Sequence, residues 1–159
     1  MAADFGSDVI KMNKKLAMES MYISEKEIQI LYADTDMMGV IYHANYLKWF
    51  ELGRTQLIID IGYNYLDMER LGYYAPVYKV EITYKRAIRY GEKAVVRTWV
   101  DENNGLRTVY GYHILNGKGE ICVEGTSTHI VVRKEDFKPV QFKKVFPEWF
   151  QKYEEIKKK

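Results

Sequence analysis

The chain has 159 residues, 47% hydrophobic and 29% charged, enough for one globular domain with its own core. Its 24 Lys and Arg against 22 Asp and Glu leave a formal net charge of +2, too small to argue for nucleic acid as a partner. The lone cysteine, Cys122, excludes an internal disulfide and points to a reducing compartment, and no apolar run reaches the ~18–20 residues of a membrane span.

Residues 1–22 show no clean period and carry Asp4 and Asp8 where a signal peptide would be apolar. They read as an N-terminal extension, a leader or a flexible arm, with the domain expected over residues 23–159 and a cytoplasmic location. Ile23 to Leu31 reads as a strand with Ile28 and Ile30 on one face, and residues 32–42 as a loop. From about His43 the period becomes helical: Tyr46, Trp49, Phe50, Gly53, Leu57, Ile58 and Ile61 recur at i, i+3, i+4 spacing. The stripe is wide, so the helix is expected to be buried along much of its length, with Gly62 as its C-cap. Residues 64–71 read as a second, short helix closed by Gly72.

The period then changes to two. Tyr78, Val80, Ile82 and Tyr84 alternate with polar residues, as in a strand with one buried and one wet face. Ala94 to Val100 is the next strand, and Asn103-Asn104-Gly105 is a hairpin signal. Leu106 to Leu115 follows, then a turn at Asn116-Gly117-Lys118-Gly119, then one long strand from Ile121 to Arg133. Pro147 opens an expected terminal helix over residues 147–157, and the Lys157-Lys158-Lys159 tail reads as solvated. Short turns make the later strands antiparallel, so the fold class is α+β, with a sheet of about five strands curled around one long helix.

The chemistry concentrates before that helix. Asp34, Asp36, His43 and Asn45 fall within twelve residues, with Gly39 among them. Unpaired N–H groups and the dipole at a helix start stabilise a developing negative charge. Asp36 can attack a carbonyl, deprotonate water, or satisfy N–H groups of its own turn. Asp34 can orient the loop, tune Asp36 or stand solvated, and His43 can orient substrate or cap the helix. Asn45 suits a helix start on propensity alone. Glu51 and Arg54 are spaced to pair with each other. A metal site is not expected: counted from Asp34, a calcium loop needs an acid where Asn45 stands, and His113 and His129 lie on distant strands. There is no Gly-x-Ser-x-Gly elbow. Most of the fourteen Tyr, six Phe and three Trp belong to the core, and Cys122 reads as an inert core residue.

The motif Gln29-Ile30, Thr35-Asp36, Gly39-Val40-Ile41-Tyr42-His43-Ala44-Asn45-Tyr46, Glu51-Leu52-Gly53-Arg54 resembles the hotdog-fold acyl-CoA thioesterases of the 4-hydroxybenzoyl-CoA thioesterase family. Tyr84 to Gly91 and Thr126 to Val132 add to the likeness, which covers about residues 22–140. The resemblance implies a hotdog fold and hydrolysis of a thioester of coenzyme A or of an acyl carrier. It implies Asp36 as the catalytic carboxylate, as nucleophile or general base, with the peptide N–H of His43 polarising the carbonyl. The His43 side chain matches the acyl-CoA branch of the family and is a second catalytic candidate. Gly39, Val40, Tyr42, Asn45 and Tyr46 are the candidate substrate-binding positions, and Lys85, Arg86 and Arg89 are candidates for the phosphates of coenzyme A. The family is described as homodimers or homotetramers with the site between subunits, and no metal or cofactor is required. The alternatives are a hotdog domain that binds acyl thioesters without turnover and a hotdog dehydratase. Short, long and aromatic acyl groups all suit the fold.

Overall fold

The computed structural model describes residues 21–159, so the expected extension over residues 1–22 lies outside it except at its last two positions. Strand β1 (Ser24–Ile28) turns only Ser24 and Ile28 inward, and its polar centre stays exposed. It stops short of Leu31 because a 3-10 turn follows at Tyr32–Asp34, where the Asp34 carboxylate accepts the Leu31 N–H at 2.8 Å. Helix α1 (Asn45–Asp60) begins two residues after His43 and buries Tyr46, Trp49, Phe50, Gly53, Leu57 and Ile58. Leu47, Leu52 and Ile59 are exposed, so the helix is covered on one face rather than along most of its girth. The chain leaves α1 through Gly62, at φ +91°, whose N–H donates to the Ile59 carbonyl at 2.9 Å. Helix α2 (Tyr65–Arg70) is capped by the Asn64 side chain, which accepts the Leu66 N–H.

Strands β2 (Tyr73–Tyr74), β3 (Val77–Tyr84), β4 (Ala94–Asn103), β5 (Thr108–Asn116), β6 (Ile121–His129) and β7 (Val132–Arg133) complete the β layer. The main sheet has five antiparallel strands in the order β1-β4-β5-β6-β3, as the α+β reading expects. Helix α1 lies against β1, β4 and β5. Phe50 stacks flat on Tyr112, with ring centroids 4.1 Å apart. At Gly53 the helix backbone comes so close to β4 that a Cβ there would collide with Thr98 Oγ1 and approach Val96 Cγ2 to 2.9 Å. Helices α3 (Phe142–Val145) and α4 (Pro147–Ile156) bury Phe142, Trp149, Tyr153 and Ile156 in the same core. Among the described residues no helix is long and apolar enough to cross a membrane.

Three expectations are corrected. The strand read as continuous from Ile121 to Arg133 breaks after His129, and Val132–Arg133 pairs instead with Tyr73–Tyr74. The hairpin expected at Asn103-Asn104-Gly105 forms, with Asn103 paired to Thr108, but its loop is longer than a tight two-residue turn: the Asn104 side chain accepts the Leu106 and Arg107 N–H groups, and Gly105 alone takes a positive φ, +85°. Strand β3 has no buried face: Ile82 alone is half-buried, and Val77, Tyr78, Val80 and Tyr84 are exposed. The alternation in β3 is real, but among the described residues it is an edge strand with no strand beyond it.

Candidate active site

The loop ahead of α1 is a tight hairpin built around Asp36. Thr35 and Ile41 bridge its base, and the Asp36 N–H donates to the Val40 carbonyl at 2.9 Å. Gly39 takes φ +75°, a left-handed conformation that favours glycine, and donates its N–H to the Asp36 carbonyl at 3.0 Å. The Met38 N–H binds Asp36 Oδ1 at 2.8 Å, which orients the carboxylate and leaves Oδ2 without a hydrogen-bond partner among the described residues. The Ile41 N–H anchors the hairpin to the Ile88 carbonyl at 2.8 Å. Asp34 is part of the frame: its carbonyl accepts both the Tyr42 N–H and the Asn45 side-chain N–H, each at 2.9 Å.

A groove of about 290 Å³ opens beside this hairpin. Asp36, Met38, Val40, Ile41, His43 and Tyr46 form one side, and Tyr84, Lys85, Arg86 and Ala87 the other. Asp36, Val40, His43 and Tyr46 therefore come together, whereas Gly39, Tyr42 and Asn45 are off its wall. Among the described residues the His43 and Ala44 N–H groups donate to no protein oxygen, and no side chain caps α1. The groove thus carries the Asp36 carboxylate and, at its helix end, His43, whose N–H is unpaired among the described residues. Tyr46 is neutral, its phenol pushed up to about 12 mainly by burial and next by the nearby Cys122.

Sequence reasoning missed Tyr84 as a site residue. Its hydroxyl donates to the His43 carbonyl at 3.0 Å, and its ring meets the edge of the His43 ring. The partners are 41 residues apart, so no local pattern reports the contact. Lys85 and Arg86 stand at the rim, in exposed ion pairs with Glu124 at 3.1 Å and Glu120 at 3.5 Å, and Arg89 is off the groove wall. Arg86 also borders a cleft of about 430 Å³ that includes Lys93 and Lys118.

A separate cleft of about 230 Å³ lies farther along α1, between Glu51, Arg54, Thr55 and Ile58 on one side and Tyr65, Ala75, Pro76, Val77, Tyr110 and His129 on the other. The ion pair expected between Glu51 and Arg54 does not form, and among the described residues no carboxylate lies within ion-pair distance of Arg54. Beneath it runs a buried polar chain. His129 Nδ1 lies 3.1 Å from the Ala75 carbonyl, so that nitrogen carries the proton, and Nε2 accepts the Ser127 hydroxyl at 2.8 Å. Ser127 Oγ then accepts the Tyr112 hydroxyl at 2.6 Å.

Burial first, and then the Arg54 charge, lower the His129 pKa to about 4. A histidine kept neutral in the fold contributes stability above its unfolded pKa of about 6.5, and that stability is lost as pH falls toward the folded value. Acidification from about pH 6.5 to 4 should therefore cost on the order of 3 kcal/mol through this one residue. Urea midpoints across that range should fall, and fall less steeply in His129→Gln; equal slopes would contradict the assignment.

Comparisons with known proteins match residues 30–150 to the Thioesterase-like superfamily. The chain is 55% identical over 138 residues to YneP of Bacillus subtilis (strain 168), provisionally named an acyl-CoA thioesterase, a match covering 87% of this chain and 100% of that protein. It is 25% identical over 114 residues to the acyl-CoA thioester hydrolase YbgC of Escherichia coli O157:H7, covering 70% of this chain and 84% of that one. The crystal structure of a DHNA-CoA thioesterase from Staphylococcus aureus superposes with a TM-score of 0.83 at 43% identity, over 86% of this chain and 91% of that one. The fold is the hotdog fold, and the chain belongs to the Thioesterase-like superfamily.

Proposed function

We infer that this chain is an acyl-CoA thioesterase that hydrolyses its substrate to the free acid and coenzyme A, with the Asp36 groove as reaction centre. The observation that carries this reading is one groove lined by both Asp36 and His43, where the His43 N–H, and the Ala44 N–H next to it, have no acceptor among the described residues. A thioester carbonyl placed between them has its oxygen held by amide donors as negative charge develops, worth about 3 kcal/mol per donor in the transition state.

In one route the free Oδ2 of Asp36 attacks the carbonyl carbon, the C–S bond breaks, and the thiolate leaves with its electron pair. Water then hydrolyses the mixed anhydride and regenerates the carboxylate. In the other, Asp36 takes a proton from water as the water attacks, and the departing thiolate is protonated in turn. Both routes use the same oxygen and the same donors. The His43 peptide N–H polarises the carbonyl, and Tyr84 fixes the His43 carbonyl, which shares its peptide plane with the Ala44 N–H, so that the neighbouring amide keeps its orientation. The His43 ring, Val40 and Tyr46 contact the substrate, while Gly39, Tyr42 and Asn45 serve by shaping the loop. Lys85 and Arg86, with Lys93 and Lys118 beyond them, suit the phosphates of coenzyme A.

The exposed edge of β3 supports a homodimer. A two-fold axis would run β3 antiparallel to its copy, extend the sheet and cover Tyr78 and Val80. Val80→Pro removes a ladder donor at the middle of that edge and should shift the protein to monomer in sedimentation velocity. A wild-type chain that sediments as a monomer would contradict the assembly. The single, buried Cys122 agrees with work in the cytoplasm.

The activity is tested by thiol release from a panel of short-chain, long-chain and aromatic CoA thioesters. The DHNA-CoA named for the Staphylococcus aureus relative belongs on the panel. Turnover of at least one member is expected. Saturable binding without thiol release from any of them would favour the binding-domain alternative.

A further inference from the structure

The hairpin that holds Asp36 also exposes two thioethers. Met37 is fully exposed and Met38 is 79% exposed, whereas Met68 is buried in the core and Met21 is half-buried. Cys122 is fully buried, and that burial pushes its thiol up, so it stays protonated and out of reach of an oxidant in water. Neither Met37 nor Met38 lies on β3, the edge read above as the dimer contact. Among the described residues, the sulfur atoms most open to a peroxide therefore belong to the two residues that follow Asp36 in the chain.

The two methionines differ in what they touch. Met38 lines the Asp36 groove, and its N–H holds Asp36 Oδ1 at 2.8 Å, whereas Met37 is off the groove wall. As a thioether, Met38 gives that wall a soft apolar patch against which a methylene chain or a ring can lie. A sulfoxide in the same place carries an oxygen that accepts hydrogen bonds and donates none. The Asp36 carboxylate on the same wall is also an acceptor, so it cannot pair with that oxygen. An acyl chain or ring seated against the sulfoxide strips its water without supplying a donor.

We propose that Met38 is a reversible oxidation site whose conversion to the sulfoxide switches the Asp36 groove off. A peroxide delivers one oxygen atom to the thioether: the O–O bond breaks, an S–O bond forms, sulfur gives up two electrons, and hydrogen peroxide leaves as water. A dithiol reverses the step, carrying the oxygen away as water while its two sulfur atoms close to a disulfide. The inference rests on the thioesterase reading above and adds the input that silences it. Met37 is oxidised as well, but its sulfoxide stands outside the groove and leaves the rate unchanged.

The test treats the full chain with hydrogen peroxide, maps the added oxygen by peptide mass, and measures thiol release from the CoA thioester turned over best. Each variant is compared with its own untreated rate. Met37 and Met38 should gain oxygen well before Met68. Wild-type kcat/KM should fall about 10-fold or more as Met38 is converted. Met37→Leu should lose as much as wild type. Met38→Leu, which keeps an apolar side chain without the sulfur, should retain most of its own rate. Equal losses in Met38→Leu and wild type would place the damage elsewhere and overturn the proposal. So would a fully converted Met38 with an unchanged rate.

Reversal separates a switch from damage. Methionine sulfoxide reductases for both sulfoxide epimers, supplied with a dithiol, should return Met38 to its starting mass and restore most of the lost rate. Mass restored without rate would overturn the proposal. Accessibility is read without turnover: Met38 oxidised no faster than Met68 overturns it whatever the activity. Untreated wild type that releases no thiol from any thioester would instead refute the thioesterase reading and take the switch with it. An active enzyme indifferent to peroxide refutes the switch alone, so the two failures are distinguishable.

Discussion

Asp36→Asn should lower kcat for acyl-CoA hydrolysis by about 10²–10⁴-fold, the usual contribution of a positioned base or nucleophile. The amide oxygen can still accept the Met38 N–H that Oδ1 now accepts at 2.8 Å, so the hairpin keeps its shape. What is lost is the lone pair that attacks the carbonyl or takes a proton from water. KM should change little, since the amide occupies the same space, and the melting temperature should stay within about 3 °C, equivalent to less than 1 kcal/mol. Asp34→Asn is the control: Asp34 accepts the Leu31 N–H outside the groove, and Asn preserves that bond, so the rate should hold within a few-fold. A full rate in Asp36→Asn would remove the mechanism.

The largest effect on stability is expected at Gly53. Alanine would gain about 1 kcal/mol of helix propensity. The added Cβ would collide with Thr98 Oγ1 and crowd Val96, both fully buried on β4. Overpacking of this kind costs about 1–3 kcal/mol and occasionally more, and here the wall is a central strand with little room to retreat. Gly53→Ala should therefore be less stable than wild type in urea despite its better propensity, and Gly53→Val should fold poorly. Thr98 offers the rescue. Its hydroxyl is buried without a partner, so Thr98→Ala both removes the colliding atom and deletes an unsatisfied polar group. The double variant Gly53→Ala/Thr98→Ala should recover most of the loss. A Gly53→Ala protein as stable as wild type would show that α1 does not pack on β4 as described.

Much of this architecture was legible because it is periodic. The apolar positions of α1 recur at helical spacing, and the strands from Ala94 onward alternate between good turn signals, so helix and sheet followed from side-chain direction alone. Where the reading failed, the deciding contact lay elsewhere in the chain. Alternation in β3 announces two faces but not whether anything covers them, and among the described residues only Ile82 is partly covered by the core. The bend after His129 is set by β7 finding Tyr73–Tyr74, some sixty residues earlier in the chain, which no local run of residues encodes.

The site divides the same way. Asp36, His43 and Tyr46 sit within one short segment, so hairpin and helix start bring them together without long-range help. Tyr84 reaches them only through the sheet. The cleft at Arg54 draws on α1, α2, β5 and β6 together, and the local i, i+3 pattern pointed instead to a pair with Glu51 that does not form.

The central claim is that one thioester carbonyl is held between Asp36 and the amide groups at the start of α1. It is tested most directly by a crystal structure with a ketone analogue of acyl-CoA, in which a methylene replaces the sulfur. The account predicts the ketone oxygen within about 3 Å of the His43 or Ala44 N–H, and the carbonyl carbon within about 3.5 Å of Asp36 Oδ2. An analogue bound with its carbonyl away from both groups, in every subunit of the crystal, would contradict it.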